Sequence, residues 1–142
     1  LPALLHRFHN AKESQEDKVE IWGTGSPRRE FLHVDDLASA CLFVADLPKG
    51  AENGYGRYSN SHINIGTGQD ISIADLAKKI SEVVGYEGEI TFDPQMPDGT
   101  PRKLLDVSRM DDLGWKYSIG LDEGISQTYD WFKKNYKKLR LK

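Results

Sequence analysis

An α/β fold is predicted by two features of this 142-residue sequence. Short β-prone runs alternate with segments of helical periodicity, the pattern that lays helices against a sheet. The composition, 38% hydrophobic and 29% charged, is that of a globular chain with enough apolar surface to bury a core. No internal repeat or low-complexity stretch interrupts the alternation, and the length is that of one domain.

The elements follow in order. Leu1–Lys12 reads as a helix: Pro2 suits a first turn, and Leu1, Leu4, Leu5 and Phe8 share a face with Arg7 at its edge. Residues 11–18 are polar and form a loop. Glu20–Trp22 is a short strand, G-T-G-S-P turns the chain, and Glu30–Val34 is the next extended run. Asp35 is the expected N-cap of a helix through Asp46, with Leu37, Cys41 and Val44 on its apolar stripe. Pro48–Ser61, rich in Gly, Asn, Ser and Tyr, is a loop, and His62–Ile65 is a strand. Ser72 opens the clearest helix, with Asp75 in capping-box style. Ile73, Leu76, Ala77, Ile80, Val83 and Val84 keep its spacing until Gly85 stops it. Glu89–Phe92 is a strand, and Asp93–Pro101 is a loop stiffened by Pro94, Pro97 and Pro101. Lys103–Asp106 is extended, and Ser108 N-caps a helix to Leu113 that Gly114 ends. Leu121–Tyr136 is the last helix, burying Ile125, Thr128, Trp131 and Phe132.

Charge and composition exclude several functions. A net charge of -3 gives no general attraction to nucleic acid or anionic membrane. The basic tail (Lys133, Lys134, Lys137, Lys138, Arg140, Lys142) complements a helix C-terminus and lacks an aromatic stacking platform. No apolar run approaches the ~20 residues of a membrane span, and no signal-peptide pattern is present. The single cysteine, Cys41, allows no disulfide framework and points to a reducing cytoplasm. Its place on an apolar stripe makes it a buried small hydrophobe rather than a nucleophile. His6, His9, His33 and His62 are scattered without metal-ligand spacing, and no G-x-S-x-G occurs.

Two glycine pairs, Gly23-Thr24-Gly25 and Gly66-Thr67-Gly68, fall short of a dinucleotide loop. The first leads into Pro27-Arg28 and a strand; the second precedes a helix but lacks the third glycine and a well-spaced acid. Both read as turns. The stretch Ile21–Asp36 has another use: Trp22 offers a stacking face, and Arg28-Arg29 offer guanidinium forks that fit phosphate oxygens. That pairing suits a phosphorylated ring compound, and equally a solvent-facing hairpin with loop charges. Asp98-Gly99-Thr100-Pro101-Arg102-Lys103 delivers an acid and two bases from a rigid loop into a strand, whose alternation sends Arg102 and Lys103 to opposite sides, and reads more simply as a charged surface loop.

These runs carry a resemblance over essentially the whole chain. W-G-T-G-S-P-R-R-E-F-L-H-V-D-D-L-A, S-H-I-N-I-G-T-G, P-D-G-T-P-R-K-L-L-D-V-S-R, L-G-W and T-Y-D-W-F occur in the order and spacing of the GDP-L-fucose synthases. These are epimerase/reductases of the extended short-chain dehydrogenase/reductase family. R-E-F-L-H-V-D-D alone is shared with many nucleotide-sugar epimerases and dehydratases, whereas P-D-G-T-P-R-K-L-L-D is specific to the fucose synthase branch.

The resemblance implies an NADP(H)-dependent conversion of GDP-4-keto-6-deoxy-D-mannose to GDP-L-fucose, by epimerisation at C3 and C5 and then hydride transfer to the C4 ketone. It places Arg7, Trp22, Arg29, Asp98 and Lys103 at the substrate. No catalytic, cofactor-binding or metal residue is expected in this chain, because the family's glycine-rich NADP loop, its Ser, Tyr and Lys, and its Cys and His acid/base pair match nothing downstream of Leu1. The chain, opening without Met in mid-pattern, is expected to be the C-terminal substrate-binding portion of a Rossmann-type enzyme whose main NADP-binding lobe is missing. Residues 34–46 and 62–65 would complete that lobe, and without it would expose apolar faces at ~25 cal/mol per Å². The lone piece should then be less stable, self-associating and inactive. A homodimer is implied for the intact enzyme. The alternatives are a related UDP- or TDP-sugar epimerase or dehydratase, and a non-catalytic nucleotide-sugar-binding module.

Overall fold

A computed structural model describes residues 1–48 and 62–138. The elements run α1 (Pro2–Glu13), β1 (Lys18–Trp22), β2 (Arg28–Glu30), α2 (Val34–Asp46), β3 (Asp70–Ser72), α3 (Ile73–Val84), β4 (Glu89–Asp93), β5 (Arg102–Lys103), α4 (Ser108–Leu113) and α5 (Leu121–Asn135), with a 3₁₀ turn at Tyr136–Lys138. Strands and helices alternate as an α/β architecture requires. β1 pairs with β4, and three short strands form a second sheet in the order β3-β2-β5. The chain divides into two compact units, one of residues 1–28, 71–102 and 122 onward, the other of residues 29–70 and 103–121. Among the described residues no helix is long and apolar enough to cross a membrane.

In the first unit β1 and β4 are parallel, in a register that runs from Lys18 opposite Glu89 to Trp22 opposite Asp93. Val19 and Ile21 are buried, while Lys18, Glu20 and Trp22 face out, the period of two expected of a half-covered strand. α3 buries Leu76, Ala77, Ile80 and Val84. Its start is satisfied as the sequence predicts: Ser72 Oγ accepts from the Asp75 amide at 3.0 Å and donates to Asp75 Oδ2 at 2.6 Å. Gly85 ends it in the left-handed conformation, φ 71°. α1 contributes Leu5, Phe8 and Ala11 to the core, and Lys12 Nζ donates to the Val84 carbonyl at the end of α3.

α5 buries Ile125, Tyr129 and Phe132. The sequence reading of its stripe is corrected here: Trp131 is 56% exposed and Thr128 is only half-buried. Tyr129 is buried in their stead because its hydroxyl finds a partner in His9 Nδ1 at 3.1 Å. His9 also sits edge-on to Phe132 and Tyr136, and Tyr136 donates to Asn10 Oδ1 at 2.9 Å, forming an aromatic seam between α1 and the C-terminal helix.

The second unit is built on Ala40, Met110 and Trp115, with Leu32, Phe43, Val44, Ile63, Ile65 and Tyr117 packed against them. Four expectations change. The N-cap of α2 is His33, whose Nδ1 accepts from the Asp35 amide at 3.3 Å, so Asp35 lies inside the first turn. α2 buries Asp36 and Ala40, leaving Leu37 and Cys41 exposed, so Cys41 is not a core residue. Residues 62–65 form no strand; Ile63 and Ile65 reach the core from irregular backbone. α4 is held at its start by Asp106, whose Oδ1 accepts from the Ser108 amide at 3.0 Å, while Val107 takes the cap position. The extended runs are also shorter than expected, β2 ending at Glu30 and β5 at Lys103. The loop expected over Pro48–Ser61 lies outside the described residues beyond Pro48.

Candidate functional site

In the first unit three of the expected site residues gather on residues 20–24. Trp22 ends β1 with its indole 64% exposed, on the side of the strand opposite the buried Val19 and Ile21. Arg7, on α1, donates from Nη1 to the carbonyl of Glu20, two residues earlier on the same strand. Asp98 reaches the turn just beyond Trp22: its Oδ1 accepts from the Thr24 amide at 2.9 Å and its Oδ2 from the Thr24 hydroxyl at 2.7 Å.

That turn is held on every side. Gly23 and Gly25 have φ of 80° and 74°, where a side chain is strained. A Cβ on Gly23 would strike the Asp98 carboxylate, and one on Gly25 would lie 2.5 Å from the Phe92 ring. The Gly25 and Pro27 carbonyls accept from the Ala74 and Ile73 amides, both at 2.9 Å, and so satisfy two donors at the start of α3. The first glycine pair is therefore a turn, as its sequence indicates, and its geometry presents an aromatic face on a rigid mount.

In the second unit Arg29 lies on β2 and Lys103 on its neighbour β5. Arg29 is partly buried and Lys103 is exposed. The residue between these strands and the second glycine turn is Glu30, which sequence reasoning did not single out. Its Oε1 accepts from the amides of Thr67 (2.6 Å) and Gly68 (2.7 Å), and its Oε2 accepts from the Leu105 amide (3.0 Å). An acid directly after an arginine pair was the available signal, but a carboxylate's reach to residues 37 and 75 positions away leaves no trace in local spacing.

Asp36 is a second carboxylate held by backbone amides. It is 3% exposed, with Oδ1 accepting from the Ser118 amide (3.0 Å) and hydroxyl (2.8 Å) and Oδ2 from the Ile119 amide (2.9 Å). Burial works to raise its pKa, but the bonds from Ile119 and Ser118, with His33 nearby, hold it below the usual carboxylate value. This carboxylate ties the start of α2 to residues 118–119 and is structural.

Among the described residues no group of His, Cys, Asp and Glu could hold a metal ion. What the side chains offer is binding chemistry: an indole face, guanidinium and ammonium donors, and backbone turns held by internal carboxylates.

Residues 1–66 match the model of the NAD dependent epimerase/dehydratase family. GDP-L-fucose synthase 1 of Arabidopsis thaliana is 53% identical over 135 residues, which are 95% of this chain and 39% of that protein. The GDP-L-fucose synthase of Escherichia coli K12 is 49% identical over 140 residues, 99% of this chain and 44% of that protein. Among solved structures, a GDP-mannoheptose C4 reductase from Campylobacter jejuni with NADP bound aligns at a TM-score of 0.77 and 40% identity, covering 93% of this chain and 44% of that one. The chain spans about two fifths of the length of the curated relatives it matches. By sequence this chain is similar to the GDP-L-fucose synthases over nearly its whole length, and its α/β fold is similar to the corresponding part of the GDP-mannoheptose C4 reductase.

Proposed function

We propose that these 142 residues are the substrate-binding part of an NADP(H)-dependent 3,5-epimerase/4-reductase converting GDP-4-keto-6-deoxy-D-mannose to GDP-L-fucose. The observation that carries the reading is the 48–53% identity to proteins named GDP-L-fucose synthase across 95% of the chain. The side chains support it. A GDP-sugar presents a stackable base and a diphosphate of about two negative charges, and indole and guanidinium groups are suited to both. Trp22, with Arg7 and Asp98 tied to the same stretch, is the proposed stacking group. Arg29 is proposed at the diphosphate and Lys103 at the GDP moiety.

Hydride transfer and epimerisation belong, in this proposal, to parts of such an enzyme beyond these residues, where NADP(H) is also held. The outer face of α2 supports a packing partner there: Val34, Leu37 and Leu42 are exposed together with Cys41, apolar surface that a lone unit gains by covering. Residues 62–65 would share that partner. The intact enzyme is proposed to be a cytoplasmic homodimer.

Titrating the chain with GDP, UDP and TDP, followed by indole fluorescence and calorimetry, tests the reading. GDP binding tighter than either competitor is expected. Equal affinity for the three would move the chain to another branch of nucleotide-sugar enzymes.

A further inference from the structure

The Gly66-Thr67-Gly68 turn is closed around a carboxylate of the chain itself. Glu30 Oε1 takes the Thr67 and Gly68 amides, with the Thr67 hydroxyl at 3.3 Å, and Oε2 takes the Leu105 amide. Successive amides aimed at one oxygen make an anion nest, here filled from within. The fit is close: a Cβ on Gly66 would lie 2.5 Å from Oε1, and Gly68 has φ 70°, so two glycines permit the wrap. Glu30 follows Arg29 on β2, and Leu105 lies two residues beyond Lys103 of β5. One carboxylate thus fastens both segments that carry cations, and the amides that surround it offset its charge where a diphosphate would otherwise be repelled.

We propose that Glu30 is a positioning residue for nucleotide-sugar binding: by filling the nest it fixes Arg29 and Lys103 for the diphosphate. This rests on the GDP-sugar reading and adds to it a residue that does not touch the ligand. Loss of the carboxylate leaves the amides unpaired and lets β2, β5 and the glycine turn move apart. A small carboxylate supplied from solution refills the nest and restores the arrangement.

The test is Glu30→Ala, titrated with GDP in chloride and then in acetate, with amide NMR shifts of Thr67, Gly68 and Leu105 read alongside. Expected are a GDP affinity reduced between about tenfold and a hundredfold, recovery of most of it in acetate, and return of the three amide shifts toward wild type. A merely destabilised fold would recover equally in sucrose, which stabilises by exclusion without filling the nest. Wild-type affinity in a folded Glu30→Ala, or no recovery in acetate, overturns the proposal. Should Glu30→Ala not fold, Glu30→Gln, which keeps one acceptor but sets an NH₂ against a backbone amide, is titrated with GDP without acetate, and unchanged affinity there overturns it. Arg29→Ala in the same titration separates the two readings: if it binds GDP as wild type does, the GDP-sugar reading itself fails. If Arg29→Ala weakens binding while Glu30→Ala does not, only the positioning role is lost.

Discussion

Thr24 and Asp98 are joined by a two-pronged contact, the Thr24 amide donating to Oδ1 at 2.9 Å and its hydroxyl to Oδ2 at 2.7 Å. The contact latches the proline-stiffened 93–101 loop onto the turn that follows Trp22. Both oxygens of Asp98 are therefore engaged by the protein, and the contact holds the loop. Asp98→Ala is expected to lower global stability by no more than about 1 kcal/mol, since the contact is exposed. It should nonetheless speed proteolytic cleavage within residues 94–100. Cleavage at the wild-type rate would show that the prolines alone order the loop.

Asp36 sets the stability of the second unit. Asp36→Asn places an amide NH₂ where a carboxylate oxygen accepted, and is expected to cost about 2–3 kcal/mol in denaturant unfolding. The pH dependence has a definite sign. The folded pKa lies below the ordinary 3.8, so the stabilisation is present above that value and lost as pH falls through the folded one. Asp36→Asn should flatten this acid limb, and an unchanged limb would assign it to other carboxylates.

His9 gives the first unit a different window. Burial against the aromatic seam lowers its pKa below 6.5, outweighing Glu13, while His6, Lys12 and Lys133 act in the same direction as burial. A lowered histidine stabilises the fold above its unfolded pKa and stops doing so as pH falls through the folded value. Protection factors of the α5 amides, corrected for intrinsic exchange, should therefore fall as pH drops below 6.5. His9→Phe should remove the dependence, and a persisting one would assign it to another group.

The parts legible in the sequence were those set by local chemistry. α3 was readable from Ser72, Asp75, its apolar spacing and Gly85, because cap, stripe and stop all lie within the helix. The turn at residues 23–27 was readable from its glycines and proline. What escaped were assignments that depend on distant partners. The buried faces of α2 and α5 were misplaced because Asp36 is satisfied by Ser118 and Ile119, and Tyr129 by His9, more than 80 residues away. Asp35 was read as a cap because Asp outranks His there, yet His33 holds the position. Of the candidate site, the aromatic and cationic residues were proposed from type and motif. Glu30, whose three amide partners come from two other segments, could not.

The most direct measurement of the central claim is GDP affinity in Arg29→Ala beside wild type. Loss of a charge-assisted phosphate contact should weaken binding by roughly 1.5–3 kcal/mol. Unchanged affinity would make Arg29 an ordinary surface cation and contradict the assignment of this chain to GDP-sugar binding.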